Sequence, residues 1–73
     1  MFPEYQAYLA GGKPYGDTKS SWQAALALVR ETGADIFYVV KIDGEEKRVV
    51  YVFDRNCKFA GQTDLPFEEV FNG

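Results

Sequence analysis

Glu45-Glu46 and Glu68-Glu69 are the places where this chain sets glutamates side by side, and Cys57 is its single thiol. General acid–base catalysis needs a carboxyl whose pKa is moved by burial or by a charged partner. Adjacent glutamates on exposed segments have neither. A cysteine nucleophile needs a base, and the chain contains no histidine. Arg55 and Lys58 beside Cys57 would favour the thiolate only mildly. One cysteine without histidine cannot build a structural zinc site, and Asp43, Glu45 and Glu46 lack the oxygen count and spacing of a calcium loop. Gly11-Gly12 followed by Gly16 invites comparison with a phosphate cradle, but there is no GxGxxG and no Gly-Lys-Ser/Thr. These residues predict a protein that is not an enzyme and has no cofactor or metal.

Recognition chemistry is better supplied. Carboxylates without a catalytic environment can still meet a basic protein surface, and the whole excess of negative charge, −3, comes from Asp64, Glu68 and Glu69. Acids and bases cancel over residues 1–61. Aromatics make up 16% of the chain, and such side chains dominate interaction surfaces as well as cores. Tyr38, Tyr51 and Phe53, with Lys41, Lys47 and Arg48 nearby, could also stack the bases of a single strand and hold its phosphates. The acidic balance, the interleaved carboxylates and the missing Lys/Arg-Gly-Phe pattern around Val49 to Phe53 weigh against nucleic acid.

The elements that must position these residues centre on a hairpin. Residues 35–42 and 47–54 are rich in β-branched and aromatic side chains, and they flank Asp43-Gly44-Glu45-Glu46, a strong turn signal. Strict alternation puts Ile36, Tyr38, Val40, Ile42, Val49, Tyr51 and Phe53 on one face. It puts Phe37, Val39, Val50 and Val52 on the other. Both a two-residue and a four-residue loop give this assignment. An antiparallel strand with one wet face should alternate apolar with polar; here both faces are apolar at the centre.

Around the hairpin, Glu4 to Ala10 reads as a strand with Tyr5, Ala7 and Leu9 on one side and Gln6 and Tyr8 on the other. Residues 11–17 read as a loop. Ser20 and Gln23 fit a capping box that opens a helix from Ser21 to about Thr32, ended by Gly33. Its apolar stripe is Trp22, Ala25, Leu26 and Val29. A turn at Asp54 to Cys57 leads to a third meander strand, Lys58 to Thr63, carrying Phe59 inward. Asp64 would then cap a short helix through Phe71, with Pro66 in its first turn. The expected fold is a single α+β domain over residues 1–73, ordered β-α-β-β-(β)-α. Its antiparallel sheet has three to four strands, with one main helix on one face.

A domain of 73 residues hides only about 60% of the surface its unfolded chain exposes. One cysteine allows no internal disulfide, so oligomerisation or partner binding is a natural source of extra burial. No signal peptide or membrane-spanning run is visible, and one unpaired cysteine suits a reducing compartment. The expectation is a cytoplasmic protein, in the host cytoplasm if viral.

In size and charge balance the chain resembles small phage and mobile-element inhibitors, anti-CRISPR proteins among them. That resemblance implies a non-catalytic module that blocks a larger protein by steric occlusion. Tyr38, Tyr51 and Phe53 are the expected anchors; Glu45, Glu46, Glu68 and Glu69 are the expected contacts to a basic surface. A sheet-based single-strand binder and a homodimerisation domain are the alternatives. Two arrangements remain open for the helices. If the main helix covers the Phe37 face, the tyrosine face is left exposed as a patch large enough to mark an interface. If it covers the tyrosine face, Phe67, Val70 and Phe71 can cover the Phe37 face.

Overall fold

The computed structural model describes residues 3–54 and 59–71, with 59–63 described by backbone alone. The chain runs β1 (Glu4–Leu9), β2 (Lys13–Lys19), α1 (Trp22–Val29), β3 (Ile36–Asp43), β4 (Glu46–Asp54), β5 (Phe59–Pro66) and α2 (Phe67–Phe71). It is an α+β fold whose five strands form one antiparallel sheet in the order β2-β1-β3-β4-β5. No helix among the described residues is long and apolar enough to cross a membrane.

The fifth strand is β2, in the stretch expected to be a loop. Gly11 and Gly12, both at positive φ, reverse the chain, and Lys13–Lys19 returns along β1. Proline and glycine disfavour a central strand, but at a sheet edge a missing N–H costs nothing. Pro14 therefore sits in β2 without breaking the sheet. β2 is mostly exposed, and its pairing with β1 is interrupted between Tyr5 and Ala7. Gln6 spans the interruption, its Nε2 donating to the Gly16 carbonyl at 2.8 Å.

The helix stripe is as the spacing predicts. Ala25 and Val29 are buried, and Trp22 and Leu26 pack against the same core. The cap is one residue later than expected: Ser21 Oγ accepts from the Ala24 N–H at 3.2 Å. The capping box is therefore not made, because Ala24 rather than Gln23 occupies the N3 position. After Val29 the chain tightens into one 3₁₀ turn, Arg30–Thr32, and leaves it through Gly33 in the left-handed region.

The main departure lies in the hairpin. Near the turn Ile42 faces Lys47 and Asp43 faces Glu46, leaving Gly44-Glu45 as the loop. Farther along, Val39 faces Tyr51 and Phe37 faces Phe53, with the register shifting between Val39 and Val40. Val50 is the extra residue, a β-bulge that reverses the facing of β4 beyond it. Tyr51 and Phe53 therefore join Phe37 and Val39 instead of Tyr38 and Val40, while Val49 stays with Val40. The uniform alternation expected for β4 is overturned. With both faces apolar, a period of two cannot detect a slip of one residue.

Two cores result. Ala7, Ala25, Val29, Phe37, Val39 and Phe53 form one beneath α1. Tyr8, Val40 and Val49 form the other, with Tyr38, Ile42, Phe67, Val70 and Phe71 packed against them. The short helix thus roofs the face that α1 leaves. It begins later than expected, at Phe67, because Asp64, Leu65 and Pro66 still belong to β5. Asp64 is therefore not a helix cap. The turn with Cys57 and the expected inward side chain of Phe59 lie outside the described residues.

Gly16 shows how closely α1 sits on β2. A Cβ there would run into the Leu28 side chain, and the residue is at φ 77°. Gly33 has a similar φ of 72° with open space around it. Alanine at a left-handed position costs about 1–2 kcal/mol, and overpacking adds about 1–3 kcal/mol. Urea unfolding should therefore show Gly16→Ala destabilising the fold clearly more than Gly33→Ala. Leu28→Ala in the Gly16→Ala background should narrow the gap. Equal losses for the two glycine variants would mean that Leu28 does not press on Gly16.

Candidate functional site

Of the three expected aromatic anchors, none lies on an open face. Phe53 is 4% exposed and stacks on Trp22 with ring centroids 6.0 Å apart. Tyr51 is half-buried against the same indole at 5.0 Å. Tyr38 is on the opposite face, edge-on to Phe71 at 4.9 Å. The bulge separates Tyr38 from the other two, and each helix takes its own share of the aromatic surface. Leu65, at 43%, is the one large exposed hydrophobic among the described residues. The exposed tyrosine face considered in one of the two sequence-based arrangements is not present among them.

The expected acidic contacts come closer together than their sequence separation suggests. The hairpin turn and α2 meet across a groove lined by Glu45, Lys47, Phe67 and Glu68. Lys47 Nζ lies 5.5 Å from the centre of the Phe67 ring, a cation–π contact. Glu46 and Glu69 are near enough to Arg48 to favour its charged form. Thus Glu45 with Glu68, and Glu46 with Glu69, belong to one margin of the molecule. α2 starts immediately after β5, the neighbour of β4, so its first turn is held beside the β3–β4 turn.

Arg48 and Asp64 join this margin to the α1 side of the sheet. Arg48 Nε donates to Asp64 Oδ1 at 2.9 Å, and Nη2 donates to the Asp64 carbonyl at 2.6 Å. The Asp64 hydrogen bond is the largest cause of a raised Arg48 pKa, and the charges of Asp64, Glu46 and Glu69 act in the same direction. Asp64 lies where the pairing of β4 with β5 slips between Val49 and Tyr51. Its φ of 54° is the only positive value at a non-glycine position among the described residues. Asp and Asn tolerate that conformation better than most residues.

Sequence reading missed a second concavity, on the α1 side. α1 has eight residues and is about 12 Å long. β3 and β4 have eight and nine residues and extend about 26–30 Å. The helix therefore leaves the hairpin end of this face open. Tyr5, Lys41, Val50, Tyr51 and Asp64 line a cleft of about 250 Å³ there. Lys41 was visible in the sequence as a cation beside aromatics. Tyr5 could not be assigned to the same place without the β1–β3 register, which pairs it with Lys41.

Among the described residues no group of three or more His, Cys, Asp or Glu side chains could hold a metal ion. No family model, curated protein or solved structure matches the chain.

The Arg48–Asp64 pair is exposed, so solvent screens its charge and it adds little to stability, whereas left-handed strain at alanine costs about 1–2 kcal/mol. Denaturant unfolding should rank Asp64→Asn close to the parent and Asp64→Ala below it. An Asn variant as unstable as the Ala variant would show that the ion pair, and not the backbone, makes the position sensitive.

Proposed function

We propose that this protein is a non-catalytic protein-binding module that covers a basic surface on a larger protein with its acidic margin. The supporting observation is the groove that Glu45 of the hairpin turn and Glu68 of α2 both line. Glu46 and Glu69 extend the same margin around Arg48. Asp43, Glu45, Glu46, Asp64, Glu68 and Glu69 together outnumber Lys47 and Arg48 there, so the margin carries local negative charge whatever the balance of the rest of the chain.

The mode of action is steric occlusion, as in the small inhibitors of phages and mobile elements that the chain resembles in size and balance. A basic surface built to hold nucleic acid would meet carboxylates in place of phosphates. Tyr38 and Tyr51 serve this reading as half-buried supports that fix the two helices; Phe53 serves it from the core.

Affinity capture from bacterial lysate, with the parent chain and a Glu45→Lys/Glu46→Lys/Glu68→Lys/Glu69→Lys variant as parallel baits, tests the reading. The four positions are surface sites, and circular dichroism would check that the variant still folds. The parent should retain a stoichiometric partner with a basic surface, released by raised salt as Coulombic attraction is screened, and the variant should not. Equal recovery by both baits would remove the acidic margin from the interface.

A further inference from the structure

The two helices hold the sheet with unequal grip. α1 has eight residues, a Ser21 cap, and Ala25 and Val29 buried. α2 has five residues and none of them is buried, yet Tyr8, Val40 and Val49 in the core it roofs are all buried. Its hold consists of Phe67, Val70 and Phe71 lying on that core. Phe71 also sits so close to Gly12 that a Cβ there would come 3.1 Å from it. Among the described residues no side-chain hydrogen bond or ion pair joins α2 to another element. A helix this short does not persist away from its packing surface. Segments with few buried contacts open at lower cost than the whole fold.

Charge across the groove beside α2 works against closure. Glu45 of the hairpin turn and Glu68 of α2 both line it, and Glu46 and Glu69 both act on Arg48. Lys47 is the cation in the groove, over the Phe67 ring, and Arg48 is engaged by Asp64. Four glutamates on two elements thus face one lysine and one arginine that already has a partner. Opening α2 carries Glu68 and Glu69 away from Glu45 and Glu46 and relieves the repulsion. A cation seated between the elements meets both sets of carboxylates only when α2 is closed. A ligand shifts an equilibrium by its difference in affinity for the two states, so such a cation favours closure.

We propose that α2 is a lid that opens independently of the sheet, uncovering Tyr8, Val40 and Val49, and that a cationic surface on the acidic margin holds it shut. The second half rests on the proposed binding of a basic surface; the first half does not.

Val39 and Val40 are neighbours on β3 and both are buried, the first in the core beneath α1 and the second in the core beneath α2. In a full-length Cys57→Ser background, the rates at which an aromatic disulfide labels Val39→Cys and Val40→Cys report the opening of each side. Val40→Cys should label about 10-fold or more faster, with a weaker urea dependence, because local opening exposes less surface than global unfolding. Phe71→Ala should widen the gap. Val29→Cys and Val49→Cys form a second pair on the same two sides should circular dichroism show that the first pair does not fold. Hexalysine should slow the labelling of Val40→Cys by about 5-fold or more, beyond the effect of sodium chloride at equal ionic strength. Glu45→Gln/Glu68→Gln should remove that response. Equal rates on the two sides, with equal urea dependence, would overturn the lid. Slowing of Val39→Cys alone would mean that hexalysine binds the open and closed forms alike, which overturns the coupling and leaves the basic-surface reading standing. No effect of hexalysine on either thiol, with no shift of the Glu45 and Glu68 amide resonances, would remove the coupling and that reading together.

Discussion

Val50 occupies the position on which the two-sided packing of this sheet depends. A five-stranded sheet whose central strands are apolar on both faces must be roofed twice, and in regular β4 alternation Val49, Tyr51 and Phe53 would all crowd one roof. The bulge divides them: Val49 goes to the α2 side, while Tyr51 and Phe53 go to the α1 side. Large rings then meet Trp22, and the smaller, fully buried valines Val40 and Val49 leave room for Phe67 and Phe71 to approach Tyr8. Removing the extra residue would send two aromatics to the side of the five-residue helix and leave Trp22 without its stacking partners.

The bulge also affects the neighbouring strand. Opposite it, the β4–β5 register slips, Asp64 adopts a left-handed conformation, and its carboxylate and carbonyl both accept from Arg48. A β-bulge characteristically re-aims a side chain and strengthens the local twist. Here Arg48 and Asp64 become the seam between the acidic margin and the lysine-bearing cleft. One irregularity thus serves packing and surface chemistry together.

Much of this was legible in the sequence, for identifiable reasons. The helix stripe of Trp22, Ala25, Leu26 and Val29 has a strict period, and the strand Tyr5, Ala7, Leu9 alternates cleanly. Both are as the sequence predicts, and so is the hairpin, although its two-residue loop is Gly44-Glu45 and not Asp43-Gly44. Three features were not legible. β2 is written in Lys13-Pro14-Tyr15-Gly16, residues that favour loops, and only its place at a sheet edge makes it a strand. The bulge leaves no trace where Val49 and Val50 are identical and both faces are apolar. The late start of α2 accompanies the pairing of Leu65 with Val49 and of Pro66 with Arg48 in the sheet, contacts between segments distant in sequence that no local capping signal anticipates.

The charge distribution follows the same logic. Counted along the chain, acids and bases cancel until residue 61, which suggests an unremarkable surface with an acidic tail. The sheet redistributes them. Antiparallel pairing brings Lys19 and Lys41 to either side of Tyr5, although they are 22 positions apart in sequence. The β5–α2 junction carries Glu68 to Glu45. Lys41 and Asp43 are two residues apart and share a face, so the border between the two kinds of surface is only one residue pair wide. A border that narrow keeps each surface compact: the acidic margin and the lysine pair each span only a few residues. Small size, through the reach of its strands and the shortness of its helices, therefore sets what this chain can recognise as firmly as its residue types do.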